Sequence, residues 1–168
     1  LRRKDEELAL ADTIVAASSF TASTLQGRLK PHQKLAIIPY GAPTACTELP
    51  KRPTSGKLKV LYVGSLTQRK GIRYLFEAIS TLKDHVSLTV IGRRVAECAA
   101  LDSSLKEHTY FPSLPHAEIL EQMRAHDILV FPSLFEVFGL VLTEALSCGL
   151  PFIATSATAA PDLITDGR

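Results

Sequence analysis

Residues 129–155 constrain the fold of this chain more than any other segment. They read LVFPSLFEVFGLVLTEALSCGLPFIAT. The apolar run 128–131 predicts a buried strand, and residues 139–148 predict a helix that Gly149 ends. A second apolar run, 150–154, follows at once. Because strand, helix and strand make a βαβ unit, whose crossover favours parallel strands, the segment predicts an α/β fold with a parallel sheet.

Two carboxylates, Glu136 and Glu144, lie near the turn that leads into this helix. In open parallel sheets, ligands bind beyond the carboxyl ends of the strands, where helix N-termini present free N–H groups. Phe138, Gly139 and Leu140 occupy that position, so their amides are placed to cradle a phosphate or a sugar hydroxyl. Glu136 is then expected at the mouth of the cleft, where a carboxylate accepts hydrogen bonds from hydroxyls.

A second interpretation of the same residues needs no ligand. Glu144 lies in an otherwise apolar helix, where a charge is costly unless it reaches solvent or a partner. Thr143, Glu144 and Ser147 would then form a narrow solvent-facing stripe, and Glu136 would be an acidic residue favoured by the helix dipole. The pattern alone leaves both interpretations open.

A second candidate loop follows the apolar strand predicted over 59–63. It reads GSLTQRKG over 64–71 and leads into a predicted helix over 72–82, which has apolar residues at helical spacing. A glycine-containing loop with Arg69 and Lys70 at the helix start suits a diphosphate, because amides and cations converge there. The residue order is not that of a P-loop, and a plain surface location for both cations is the alternative.

The sequence FPSLFEVFGLVLTEALSCGLP resembles the signature of retaining glycosyltransferase family 4, whose usual form is P-S-x-x-E-G-F-G-[LIV]-x-x-x-E-A-x-[AS]-x-G-x-P. The resemblance implies the GT-B fold, in which two Rossmann-like domains face each other. It also implies that Glu136 is the catalytic residue, which contacts the donor sugar near its reacting centre, and that Glu144 holds the nucleotide ribose. Val137 stands where the family usually has glycine.

The loop over 63–71 resembles a second motif of that family, V-G-R-L-x-x-x-K-G. By this resemblance Lys70 binds the pyrophosphate, in a loop that contains Gly64 and Ser65. Ser65 replaces the usual arginine, so the missing charge is either lost or supplied by Arg69. The family also places the nucleotide base against backbone groups of a loop that corresponds to Leu114.

The resemblance also predicts a domain organisation. ADTIVAASSF and IIPYG resemble the end of the acceptor-side domain, which assigns residues 1–41 to its tail. Residues 42–58 are rich in proline and charge and predict a linker. Residues 59–168 are then a nucleotide-sugar-binding Rossmann-like domain, which we expect to be truncated at its C-terminus. Since roughly 170 residues are too few for both domains, we expect a fragment that is inactive alone.

Composition excludes several other classes of protein. A net charge of +2 at pH 7 gives no basis for a nucleic-acid partner. Three widely spaced cysteines without a Cys-x-x-Cys pair indicate neither a disulfide framework nor a zinc site. With no signal peptide, this pattern predicts a cytoplasmic protein. No run approaches the roughly 18 apolar residues of a membrane span, so any membrane contact would be peripheral, through a surface patch or the missing domain.

The resemblance therefore implies a retaining glycosyltransferase of hexosyltransferase type. It would move a sugar from a nucleotide diphosphate sugar to the hydroxyl of a sugar, lipid or polysaccharide acceptor. We expect no metal and no other cofactor, because Lys70 and a helix N-terminus would neutralise the leaving diphosphate. Two alternatives remain open: a non-catalytic nucleotide-binding module, in which Val137 and Ser65 mark lost activity, and a GT-B epimerase or phosphorylase.

Overall fold

A computed structural model describes residues 2–46 and 56–165. The strands are β1 (Thr13–Ala16), β2 (Lys34–Ile37), β3 (Leu58–Val63), β4 (Val86–Ile91), β5 (Thr109–Phe111), β6 (Ile128–Phe131) and β7 (Phe152–Ala154). The helices are α1 (Arg2–Leu10), α2 (Ser19–Leu25), α3 (Ile72–Thr81), α4 (Ala99–Leu105), α5 (His116–Ala125), α6 (Leu140–Ser147) and α7 (Ala160–Leu163), and a 3₁₀ turn (Gln68–Lys70) precedes α3.

The main sheet has five parallel strands in the order β5-β4-β3-β6-β7. The chain starts at the centre with β3, adds β4 and β5 on one side, and then returns to place β6 and β7 on the other. The strand order therefore reverses between β3 and β6, which are direct neighbours through Val60 and Ile128. The helices that follow these two strands, α3 and α6, pack on opposite faces of the sheet. In open α/β sheets, ligands bind in the crevice at the carboxyl edge between two such strands.

Both faces of this sheet are covered by helices. Along β3, Val60 and Tyr62 face one side, where α3 packs, and Leu61 faces the other, where α5 and α6 pack. The alternation follows from the two-residue period of a strand, and it explains why these strands are apolar at almost every position. Each fully buried leucine or phenylalanine contributes about 1.5–3 kcal/mol, so the doubly covered sheet is the main source of stability. The predicted α/β Rossmann-like fold is confirmed.

The two short strands β1 and β2 form a separate parallel sheet near the N-terminus. Hydrogen bonds join this unit to the main domain next to the predicted glutamate cleft. Ser18, the N-cap of α2, donates its hydroxyl proton to the carbonyl oxygen of Val137 at 2.6 Å, and Thr21 donates to the same oxygen at 2.9 Å. The Tyr40 ring packs edge-on against Phe138, with ring centroids 5.2 Å apart. The N-terminal unit thus fixes one wall of the crevice.

The structure places the start of one predicted strand a residue earlier. β3 begins at Leu58, not at residue 59, because Leu58 pairs in register with Val86. Of the predicted linker, 42–58, residues 47–55 lie outside the described residues, as do residues 166–168 of the predicted second domain. In the described part of the chain, no helix is long and apolar enough to cross a membrane.

Gly71 allows the loop after β3 to lie directly against the loop after β6. Its φ is +68°, and a Cβ atom at this position would lie 1.9 Å from the carbonyl oxygen of Pro132. Gly27 has a similar φ of +78° with open space around it, which makes it a matched control. Both alanine variants suffer the left-handed backbone penalty of about 1–2 kcal/mol. We expect Gly71→Ala to lower the free energy of unfolding by about 1–3 kcal/mol more than Gly27→Ala does. The added methyl group at Gly71 would also clash with the Pro132 backbone, whereas the one at Gly27 would meet no neighbour.

Urea denaturation of the two glycine variants measures this difference. Equal losses would show that the two loops separate without cost, and that their close approach is not a requirement of the fold.

The buried side chain of His126 is expected to make the fold less stable at acidic pH. It is buried at the end of α5, and its Nδ1 lies 2.6 Å from the carbonyl oxygen of Gln122, which makes Nδ1 the protonated nitrogen. Burial lowers the pKa of His126 below its usual value, against the smaller opposing effect of the hydrogen bond to Gln122. The unfolded chain therefore binds the proton first, and stability is lost as pH falls from about 6.5 through the lower folded pKa.

We expect His126→Asn, which keeps a donor for Gln122, to reduce the loss of thermal stability between pH 7 and pH 5. His108 adds an effect of the same sign, because burial lowers its pKa too, with its ring stacked on Phe76. The exposed His85 supplies the control variant, His85→Asn. A His126→Asn protein whose melting temperature falls with pH as steeply as that of the unmodified protein would contradict the assignment.

Candidate active site

Two cations and one carboxylate meet at the crevice between β3 and β6. Arg69 and Lys70 follow β3, and Glu136 follows β6. Lys70 Nζ forms a hydrogen-bonded ion pair with Glu136 Oε2, and Arg69 Nη1 lies 3.1 Å from the same oxygen. The side chains of Lys70 and Glu136 are only 13% and 16% exposed, so their charges are much less screened than surface charges. Residues 66 positions apart in sequence thus form one charged cluster.

The charge of Glu136 is set by competition between burial and its cations. Burial alone would raise the pKa of Glu136, but the hydrogen bond and charge of Lys70, followed by those of Arg69, outweigh it and lower the pKa below its usual value. Glu136 is therefore ionised at neutral pH. Its negative charge is balanced within the site by Lys70 and Arg69.

Neither cation is a freely solvated surface charge. Arg69 Nη1 also donates to the carbonyl oxygen of Phe135 at 3.1 Å, and its guanidinium carbon lies 5.3 Å from the centroid of the Phe135 ring. The Arg69 carbonyl accepts from the Leu134 amide at 2.8 Å. Lys70 Nζ lies 5.0 Å from the centroid of the buried Phe131 ring. These contacts hold both charges at the crevice before any ligand arrives.

The glycine loop is supported from below by Tyr62. The Tyr62 hydroxyl donates to the carbonyl oxygen of Ser65 at 3.0 Å, and the ring lies beneath Gly64, where it is fully buried. Burial raises the pKa of Tyr62 well above its usual value, so the hydroxyl stays protonated and remains a donor. Ser65 contributes no positive charge at this loop, which leaves Arg69 and Lys70 as its cations.

The N-terminus of α6 presents free backbone donors to the same crevice. Across residues 2–46 and 56–165, the amides of Phe138, Gly139 and Leu140 have no hydrogen-bond acceptor. Gly139 has φ +90° and serves as the N-cap, while the Phe138 side chain is buried. The amides of the exposed Leu140 and the partly exposed Gly139 can therefore meet a ligand, whereas Phe138 is only 2% exposed. The positive end of the α6 dipole lies at the same edge of the sheet as Lys70 and Arg69.

Val137 fits its position without backbone strain. Among the described residues, only glycines have a positive φ, so Val137 keeps an ordinary backbone although the related motif has glycine there. Its side chain is half exposed, and its carbonyl oxygen accepts from Ser18 and Thr21. The substitution is accommodated by the fold.

Glu144 does not lie in a solvent-facing stripe. Thr143 and Ser147, its expected companions, are buried, and their hydroxyls donate back to α6 carbonyls. The Glu144 side chain is 21% exposed, and its Oε1 lies 3.0 Å from Nε2 of His116, the first residue of α5. No sequence pattern indicates a role for His116, because only the packing of α5 beside α6 brings it to Glu144.

The predicted residue Leu114 and a further cation, Arg94, lie in two other loops at the carboxyl edge of the sheet. Leu114 is in the loop between β5 and α5, with its side chain packed against the core. Arg94, which follows β4, is occupied by an ion pair with Asp102. In the described residues, no group of three His, Cys, Asp or Glu side chains is arranged to hold a metal ion.

Comparisons with known proteins identify the family. A model of the family described as glycosyl transferases group 1 matches residues 48–168. The chain therefore belongs to this family. The predicted resemblance to glycosyltransferases is confirmed as membership of this family.

Relatives and solved structures agree with this assignment. A D-inositol 3-phosphate glycosyltransferase of Arthrobacter sp. (strain FB24) is 26% identical, over 99% of this chain and 45% of that protein. Sucrose-phosphate synthase from Thermosynechococcus elongatus has the same fold, with a TM-score of 0.79 and 22% identity over 96% of this chain and 45% of its own. The pneumococcal O-GlcNAc transferase in complex with UDP and GlcNAc has a TM-score of 0.74 to this chain and is 20% identical in sequence. The match covers 100% of this chain and 35% of that protein.

The chain thus spans less than half the length of the curated relative named above and of these two solved structures.

Proposed function

We propose that the protein containing this chain transfers a sugar from a nucleotide diphosphate sugar to an acceptor hydroxyl, with retention of configuration. The proposal rests mainly on the convergence of Lys70, Arg69 and Glu136 at the crevice between β3 and β6. A diphosphate needs cations and free amides, and the crevice offers both. The UDP complex of a protein with the same fold supports a nucleoside diphosphate as the ligand class.

The cations are expected to change partner when the donor binds. Without donor, Lys70 and Arg69 neutralise Glu136. A diphosphate placed over the α6 N-terminus would share these cations, because its two phosphoryl groups together carry more negative charge than one carboxylate and accept more hydrogen bonds. Glu136 would then be partly released toward the sugar. Its carboxylate would orient the sugar and stabilise positive charge that develops at the anomeric carbon.

Retention is proposed to arise by attack on the face from which the diphosphate leaves. The bond between the anomeric carbon and the phosphate oxygen breaks, and the bond from the acceptor oxygen forms on the same face. The acceptor's proton passes to the departing phosphate oxygen, so the reaction needs no separate base.

Calorimetric titration and product analysis test the proposal. The natural protein that contains this sequence is titrated with UDP, GDP and ADP. It is then supplied with sugar nucleotides of the base that binds, and the anomeric configuration of the product is read by NMR. Binding followed by transfer with retention is expected. Binding without turnover would favour a non-catalytic nucleotide-binding module, and the absence of binding by all three nucleotides would overturn the proposed function.

A further inference from the structure

His116 and Glu144 form a polar pair at the top of the packed helices α5 and α6. His116 Nε2 lies 3.0 Å from Glu144 Oε1, while the two side chains are 61% and 21% exposed. The helices beneath them are joined by apolar contacts through residues such as Met123, Leu142 and Ala145. The packed helices α5 and α6 therefore hold the two residues side by side, with His116 more exposed to solvent than Glu144.

The contact uses only part of the carboxylate. Within the described part of the chain, Glu144 Oε2 accepts no hydrogen bond, and Oε1 has His116 as its partner. A free glutamate side chain has three rotatable bonds, and fixing them costs conformational entropy when a ligand binds. A histidine N–H that already holds Oε1 reduces this cost and leaves Oε2 available to a ligand hydroxyl.

We propose that His116 is a positioning residue, which holds the Glu144 carboxylate in the orientation needed to bind the ribose hydroxyls of the nucleotide. The inference rests on the proposed function, because it takes the ligand of Glu144 to be a nucleoside diphosphate. His116 acts through Glu144, so its contribution depends on the presence of both the carboxylate and the ribose hydroxyls.

The test compares ribonucleotides with nucleotides that lack one ribose hydroxyl. The natural protein containing this sequence is titrated calorimetrically with UDP, GDP and ADP, and the base that binds is then used as its 2′-deoxy and 3′-deoxy diphosphates. The affinity ratio of the ribonucleotide to its deoxy forms measures the hydroxyl contact alone. His116→Ala is expected to lower this ratio about three- to tenfold, the scale of one net hydrogen bond.

Four further variants, one of them a double variant, separate positioning from other roles. His116→Gln keeps a donor nitrogen at similar reach and should restore most of the ratio. Glu144→Ala should remove the preference for the ribonucleotide, so that the affinity ratio falls close to one. Adding His116→Ala to the Glu144→Ala variant should then change the ratio no further. His85→Ala is the matched control and should leave the ratio unchanged. His85 is exposed and directly precedes β4, at the edge of the sheet opposite the crevice.

The outcomes are distinguishable. A lowered ratio, restored by His116→Gln, supports the inference. If His116→Ala weakens the ribonucleotide and deoxynucleotides equally, His116 contacts another part of the nucleotide, and the inference is overturned. A lowered melting temperature with an unchanged ratio shows a purely structural pair and also overturns it. If none of the three nucleotides binds the unmodified protein, the proposed function fails first and removes this inference with it.

Discussion

Lys70→Ala is expected to weaken nucleoside diphosphate binding by about 1.5–3 kcal/mol, or roughly 10- to 150-fold in the dissociation constant. Lys70 is the more enclosed of the two cations at the crevice, and Ser65 supplies no charge in the loop before it. The nucleoside monophosphate lacks the distal phosphate, so its affinity should fall much less. Arg73→Ala, which removes an exposed arginine paired with Glu77, is the matched control and should change neither affinity.

Arg69→Ala extends this test to the second cation. Arg69 contacts Glu136 and the Phe135 ring, and it is 41% exposed, so we expect the same selectivity for the diphosphate with a smaller loss. Titration of the di- and monophosphate at two salt concentrations makes the distinction. A loss under about 1 kcal/mol that disappears with added salt would show Arg69 to be an ordinary surface charge. Equal losses for both ligands in Lys70→Ala would refute the phosphate assignment.

Glu136→Gln is expected to lower kcat by about 10²–10³-fold, the scale of removing one preorganised electrostatic group at a reacting centre. The same change should leave diphosphate binding at least as tight as in the unmodified protein. Glutamine has nearly the shape of glutamate but no charge, so Lys70 and Arg69 lose the anion that occupies them in the free protein. The variant thus separates catalysis from binding, with opposite signs for the two measurements.

Steady-state kinetics and calorimetry on one preparation of Glu136→Gln provide both values. Phe135→Leu is a useful control, because it alters the neighbouring ring that contacts Arg69 but leaves every charge in the cluster. If Glu136→Gln binds the diphosphate as weakly as Lys70→Ala does, the carboxylate serves to position the lysine. An unchanged kcat would remove Glu136 from the reaction.

Local sequence rules predicted the architecture because each of them acts over a few residues. Apolar runs bounded by glycine and proline gave the strands, and the crossover rule made them parallel. Periodicity predicted α3, and the apolar stretch after Gly139 predicted α6, close to their observed limits. Where the limits differ, as at Leu58, pairing with a neighbouring strand decided the end, and such pairing cannot be seen within the segment itself.

The same local rules predicted that Lys70 and Glu136 bind ligand. They did not predict that the two side chains contact each other. Each follows an apolar strand, which places it at the carboxyl edge of the sheet. Whether they meet depends on the strand order, because only the reversal between β3 and β6 makes those two strands neighbours. The ion pair, the lowered pKa of Glu136 and the close approach at Gly71 all follow from that order.

By itself, then, the sequence determined the fold class, the family motifs and the residue types at the edge of the sheet, because these depend on periodicity and short-range spacing. Only the tertiary structure decided which residues share a contact. It buried Thr143 and Ser147, which removed the solvent-stripe interpretation, and it brought His116 to Glu144. Helix packing across 28 residues of sequence produced that last contact, and no local pattern encodes it.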